Sequence, residues 1–467
     1  MTGISIWPDL FIWLNSLLFP HLITADITFD DQLSLKRKMN IVEISGISGP
    51  ASPEAMEDFG VEPRVVSELC LKFALTVPHF TSIWMSERLA MPLVIVNEML
   101  EQLREDHLLE VLGATGAFGF RYAIAGAGKQ YAMRLMEISG YTGPTPVSLE
   151  DYTHLINDQV DRTNHVTAEQ VQQSLSTLVL PDQAIMIAGL ALSSARSLFV
   201  FGPPGNGKTA LARGLNDAQA EGVWIPYAIT IDQNIIRVYD EHIHEVLPVD
   251  PEIARAFDSR WVRIKRPMVV VGGELTIEDL DLKYSSTMRY YEAPIHMKAN
   301  GGIFLVDDFG RQRADPKQLL NRWIIPMENR LDYLSLANGQ KIQIPFRLCL
   351  IFATNLNPRD VTDPAFLRRI GYRLEIKPPH PEQYSKIFHR YIEKLKAELD
   401  PTALAWLFKK YETEKRELRG CEPRDLLERI REICEYRQEK KIMVNPVNLE
   451  MAWTAYFGGS DVPYSDT

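Results

Sequence analysis

The sequence predicts an α/β protein built on a parallel sheet covered by helices. Three observations carry that prediction. Short apolar runs at Ser197–Phe201, Trp224–Ile231, Gly302–Val306 and Leu348–Ala353 are separated by helical or inserted segments, the pattern of buried parallel strands. The glycine-rich segment GPPGNGKT, residues 202–209, lies between the first of these runs and a helix, Lys208–Ala220. From Pro381 onward the chain is charged, helical and without notable strand candidates, so a helical unit follows the sheet.

The 467 residues suit about three packed domains, and the elements fall in order as follows. Residues 1–61 are an apolar N-terminal segment and a linker. Ile4–Ile27 is almost entirely apolar, yet no Lys or Arg precedes Lys36, which argues against a secretory signal. A spanning helix would carry Asp9, Asn15 and His21 together with Pro8 and Pro20, and a mid-bilayer charge costs about 2.5–3.5 kcal/mol. The expectation is therefore no membrane insertion: a helix docked on a partner, or translated upstream sequence with Met39 as a second start. Residues 40–61, rich in Gly, Pro and Ser, read as the linker.

Residues 62–147 read as helix Pro63–Thr76, a short helix entered at Thr81, a longer helix from Pro92, strand Leu108–Leu112, a Gly-rich turn, strand Phe120–Ile124 and a helix to about Ser139. That order resembles a winged helix. Residues 148–180 are connecting helices, 181–380 the α/β core and 381–467 a helical lid. Inside the core, Asp232–Asn300 is a long insertion in which Met268–Leu275 and Leu282–Tyr291 would be inserted strands. Tyr290 and Tyr291 are pore-facing aromatics or, more commonly for such residues, core.

With 61 acidic against 50 basic residues the net charge is -11, so nothing steers the whole molecule toward a polyanion. Cys70, Cys349, Cys421 and Cys434 have no metal-site or disulfide spacing and read as reduced thiols of a cytoplasmic protein.

The segment 202–209 satisfies G-x-x-x-x-G-K-[ST] in the strand-to-helix context the motif requires. Gly202, Pro203, Pro204, Gly205, Asn206 and Gly207 form a curl whose N–H groups point at phosphate, Lys208 neutralises the outer phosphates and Thr209 ligates magnesium. Phosphoryl transfer also needs a carboxylate at the end of a neighbouring strand, and GIFLVDD supplies Asp307 for the metal, with Asp308 next in line to polarise a water. ATP and Mg2+ are the implied ligands.

From Pro181 on, the chain resembles the AAA+ ATPases. IFATN, residues 351–355, is similar to their sensor 1 strand, and the resemblance gives Asn355 contact with the terminal phosphate and the attacking water. DPAFLRRI, residues 363–370, is similar to the segment that offers an arginine finger to the neighbouring subunit, so Arg368 or Arg369 takes that role; the resemblance does not choose between them. GCEPRDL, residues 420–426, is similar to the start of the sensor 2 helix, which implies that Arg424 reaches the phosphates from the lid. LDYLSLANGQKIQI, residues 331–344, reads as a hairpin around Asn338-Gly339. It resembles the pre-sensor-1 hairpin of the group that holds MoxR-type ATPases and enhancer-binding proteins. A GAFTGA-type loop is absent, and Asp308 stands where most of the family has Glu.

These features imply an ATP-hydrolysing remodeller that assembles as a homo-oligomeric ring of six and acts on a protein client recruited by the N-terminal domain. Two alternatives stand beside it: a nucleotide switch made slow by the shorter Asp308, and a DNA-binding regulator. Against DNA, residues 92–112 carry Glu98, Glu101, Glu105, Asp106 and Glu110 with Arg104 as the lone cation. Arg121, Lys129 and Arg134 on and near the wing keep that alternative open.

Overall fold

The computed structural model describes residues 39–114, 120–163, 166–361 and 364–458. The apolar segment at residues 4–27, most of the Gly-rich turn after residue 114, and Asp363 lie outside the described residues. Among those described, no helix is long and apolar enough to cross a membrane.

Five parallel strands form the central sheet: β1 (Leu198–Phe201), β2 (Met268–Val271), β3 (Ile303–Val306), β4 (Cys349–Thr354) and β5 (Tyr372–Glu375). Their order across the sheet is β5-β1-β4-β3-β2. Side chains alternate faces along a strand, and here the alternation sorts them by type. Leu198, Val200, Ile303, Leu305, Cys349, Ile351 and Ala353 meet helices Asp182–Ser193 and Lys208–Asp217 on one face. Phe199, Phe304, Val306, Leu350 and Phe352 meet Phe309, Trp323 and helix Pro316–Asn329 on the other. Both faces are therefore dry across β1–β4, where Val270 of edge strand β2 alone is exposed, and each fully buried aliphatic or aromatic side chain contributes about 1.5–3 kcal/mol. This is the α/β arrangement the sequence predicts, a parallel sheet covered by helices, with every strand's C-terminal end at the same edge.

Two strand expectations are corrected. Trp224–Ile231 is not one strand of the parallel sheet. Pro226 ends a strand, Val223–Pro226, that pairs antiparallel with Trp261–Ile264. Ala228–Ile231 then turns back through Asp232, at φ 54°, onto Asn234–Arg237. The insertion's Met268–Val271 is itself the core edge strand β2, paired with β3. Tyr290 and Tyr291 sit on strand Tyr290–Glu292, 8% and 5% exposed, and are core residues.

The stretch read as a linker is also ordered. Ile41–Ile44 and Ile47–Pro50 form an antiparallel hairpin. Its glycines, which suggested flexibility, have fixed roles: Gly46, at φ 76°, makes the turn, a Cβ on Gly49 would lie 2.6 Å from Trp224 Nε1, and that indole donates to Ser48 O at 2.9 Å. The helix Leu149–Thr163, expected to be a connector, buries Tyr152, Leu155, Ile156 and Val160.

In the N-terminal part, helices Pro63–Thr76, Ser82–Leu89 and Leu93–Glu105 precede strands Leu109–Ala114 and Phe120–Ile124 and helix Gly126–Ile138. A short strand, Phe80–Thr81, joins them in a three-stranded sheet with Phe120–Ile124 in the middle. Thr81 then caps the next helix, accepting from Trp84 N at 3.2 Å. Strands Leu331–Ser335 and Lys341–Pro345 form the expected hairpin. The C-terminal part packs helices Pro381–Leu395, Ala403–Thr413, Glu422–Tyr436 and Pro446–Phe457 around Tyr384, Leu407, Leu426 and Trp453.

Candidate functional site

The site lies at the C-terminal edge of the sheet. Strand β1 ends at Phe201 and the chain leaves through Gly202, where any Cβ would collide with the Ile376 carbonyl just beyond β5. Gly207, at φ 90°, then opens helix Lys208–Asp217, a conformation costly for other residues. The strand, the turn and the helix N-terminus thus follow from residue types at fixed places.

Lys208 is 7% exposed. Its ammonium donates to Gly202 O at 2.8 Å, Pro203 O at 2.9 Å and Asn355 Oδ1 at 2.6 Å. Burial lowers its pKa from the usual lysine value, and Asp308 and Asp307 oppose that shift. Thr209 donates its hydroxyl to Asp307 Oδ2 at 2.7 Å. Asp307 is delivered by β3, whose four residues are buried, and its amide donates to Val271 O at 2.8 Å.

Asp308 has φ 49°, the left-handed region, which Asp tolerates better than most residues. Its carboxylate accepts from Asn355 Nδ2 at 3.0 Å. Asn355 follows β4, so strands β1, β3 and β4 bring Lys208, Thr209, Asp307, Asp308 and Asn355 into one hydrogen-bonded group.

Sequence reasoning missed three supports of this group. Gln312 donates to the carbonyls of Asp307 and Asp308 at 3.0 and 3.2 Å and accepts from Gly310 N at 2.8 Å, holding the bend after β3. Asn206 accepts from Gly420 N at 2.9 Å, which ties the helical C-terminal part to the glycine-rich loop. At Gly205, a Cβ would lie 2.6 Å from Cys421 Sγ and 3.8 Å from Arg419 Cβ. The two arginines in RGCEPRD, residues 419–425, were the available signal; only the one inside the helix was singled out.

Arg424 is not hydrogen-bonded to the loop. It is half-exposed at the start of Glu422–Tyr436 and pairs with Asp425 at 2.8 Å. Arg368 and Arg369 are likewise apart from it. They precede β5, whose first residue Tyr372 is in register with Leu198, the first of β1; at about 3.3 Å per residue the strand holds them at the opposite edge from Gly202. Arg369 pairs with Glu328 at 2.6 Å. Both arginines line a cavity of about 340 Å3 with Arg196 and Arg330. Burial, then Arg347 and Arg196, lower the pKa of Arg330.

Residues 380–455 match a protein family described as a domain of unknown function, DUF8689. No curated protein matches the sequence. Among solved structures, the chain is similar to the Thermotoga maritima RuvB Holliday junction branch migration motor at 14% identity, covering 60% of this chain and 71% of that one with a TM-score of 0.35. A point variant of the same RuvB matches at 15% identity over 67% and 74% of the two chains, TM-score 0.34.

Proposed function

We propose that the protein binds and hydrolyses ATP and works as a ring-forming remodeller. The observation that carries this reading is the 2.7 Å approach of Thr209 Oγ1 to Asp307 Oδ2 beside the buried ammonium of Lys208. A hydroxyl and a carboxylate are the hard oxygen donors that Mg2+ takes, so Thr209 and Asp307 would hold it. Bound there, the ion would neutralise charge on the phosphates. Lys208 would exchange its three protein acceptors for phosphate oxygens. Asp308 and Asn355, already joined, would accept a proton from a water and fix its orientation.

The ring supports itself on the place of Arg368 and Arg369. An arginine at the far edge of the sheet cannot serve its own chain's phosphates, whereas a neighbour's site is within its scope. The N-terminal part then takes the role of client recruitment. Its three helices with a three-stranded sheet suit a winged helix, but the helix Leu93–Glu105 exposes Val94, Glu98 and Glu105, a surface that repels nucleic acid. The alternative of a slow switch draws on Asp308: its carboxylate is short and already held by Asn355.

The test is steady-state hydrolysis by the full chain with and without Mg2+. Phosphate release that requires Mg2+ and rises per site with protein concentration supports the reading. Tight ATP binding with no release supports the switch, and no ATP binding removes both.

A further inference from the structure

Away from the glycine-rich loop, where residues 141–144 meet strand Asn234–Arg237 and Tyr290, the chain forms a half-open cavity of about 280 Å3. Ligand pockets run from about 300 to 1,000 Å3, so this one suits a small head group. Four tyrosines line it: Tyr141, Tyr227, Tyr239 and Tyr290. They form two steep pairs, Tyr227–Tyr239 at 5.2 Å and 66°, and Tyr141–Tyr290 at 5.6 Å and 88°. Neither pair offers the parallel faces between which a flat base stacks. Rings that meet at steep angles instead face a rounded group from several directions. The wall is fixed, since Tyr141 and Tyr290 are 4% and 8% exposed and Tyr141 donates its hydroxyl to Pro144 O at 2.8 Å.

The charges at the rim choose the sign of the guest. Arg237 lines the cavity but is paired with Glu292 at 2.8 Å. The neighbouring Asp240 is paired with Lys298 at 2.8 Å. Glu241 also lines the cavity, is exposed, and has no ion-pair partner among the described residues. Nor, among those residues, is any of the four rings covered by a Lys or Arg of the chain. Ring faces with an unpaired acid attract a cation, and a cation without N–H groups loses the fewest hydrogen bonds on leaving water.

We propose that this cavity is a binding site for an alkylated ammonium group, held by the tyrosine rings that line it and by the carboxylate of Glu241; Tyr239, stacked on His244 at 5.7 Å and 30°, has its other side for the guest. The proposal is independent of the ATP reading, because none of its residues belongs to the phosphate site.

Calorimetric titration of the full chain with choline, and with its uncharged isostere in which carbon replaces the nitrogen, tests it. The two probes have the same shape, so an apolar cavity treats them alike. Choline is expected to bind on the order of 10-fold more tightly than the isostere. Glu241→Gln, at an exposed position, is expected to weaken choline by about 3- to 10-fold and leave the isostere unchanged. Tyr239→Leu weakens choline as well, with the thermal melt reporting its fold. Equal affinity for the two probes, no choline binding up to about 50 mM, or unchanged binding in Glu241→Gln overturns the proposal. A trimethyllysine peptide that binds more tightly than choline assigns the ammonium to a protein chain; the reverse order assigns it to a free small molecule. Either order supports the cavity's chemistry.

Discussion

The ammonium of Lys208 is held at 2.6 Å by Asn355, 147 residues further along the chain. The same amide donates to Asp308 at 3.0 Å, so one side chain joins the cation proposed for the phosphates to the acid proposed for water. Removing Lys208 removes that proposed charge and little core volume. Lys208→Ala is expected to weaken ATP by about 100-fold, the scale of one lost charge-assisted contact, with the thermal melt little changed. Nucleotide titration reads it, and parental affinity would withdraw the phosphate-loop assignment.

Asp308→Asn retains a side chain that accepts from Asn355 and tolerates φ 49°. The variant is expected to bind ATP and Mg2+ like the parent, because Thr209 and Asp307 are untouched, and to turn over at least about 100-fold more slowly. Asp308→Glu adds reach and is expected to keep or raise the rate. Single-turnover hydrolysis separates the cases. An Asn variant as fast as the parent removes Asp308 from the role of base.

Arg368→Ala and Arg369→Ala are to be compared one at a time, since Arg369 is also engaged by Glu328. The finger's loss is expected to slow turnover by about 1,000-fold while ATP affinity changes little. Mixed with Lys208→Ala subunits, the inactive finger variant is expected to regain part of its activity, each subunit supplying what its neighbour lacks. No recovery from well-mixed oligomers would count against shared sites.

Lys72 is 6% exposed, and burial pushes its pKa down from 10.5 to about 8, with Glu68 opposing. The sign follows from the protons bound. Between about 8 and 10.5 the folded chain binds fewer than the unfolded one, so this residue's penalty is full below about 8 and fades as pH rises through that window. Lys72→Met keeps the volume and removes the charge, so a gain on the order of 2 kcal/mol is expected at pH 7. Urea midpoints of both proteins at about pH 7 and 10 check it: the gap should close toward the higher value, and a constant gap would assign the effect to packing.

Much of the candidate site at the C-terminal edge of the sheet was legible because each of its motifs is short and local in the sequence. A glycine curl, a lysine and a strand-ending acid announce themselves within a few residues. The edge strand β2 was hidden for a different reason: an all-apolar run such as MVVV shows no alternation of residue type, and its position inside a long insertion hid its pairing with β3. Pro226 inside the run 224–231 was the available sign that two strands, not one, were present. Asn206 and Gly420 lie 214 residues apart, and no spacing rule reaches that far. Gly49 read as a linker residue because the partner that needs it small, Trp224, comes much later.

That hairpin has a consequence for how the chain is made. Ser48 accepts from an indole 176 residues downstream, and Phe59 O accepts from Arg260 Nη1 at 2.9 Å, 201 residues downstream. At about 5–20 residues per second, a ribosome needs roughly ten to forty seconds to supply those partners. Through that interval Ser48 and Gly49 have emerged without the indole they finally bond and pack against. The earliest described strands of the protein are among the last to be completed, and a growing chain must carry them without their Trp224 anchor until the middle of the sequence has been translated.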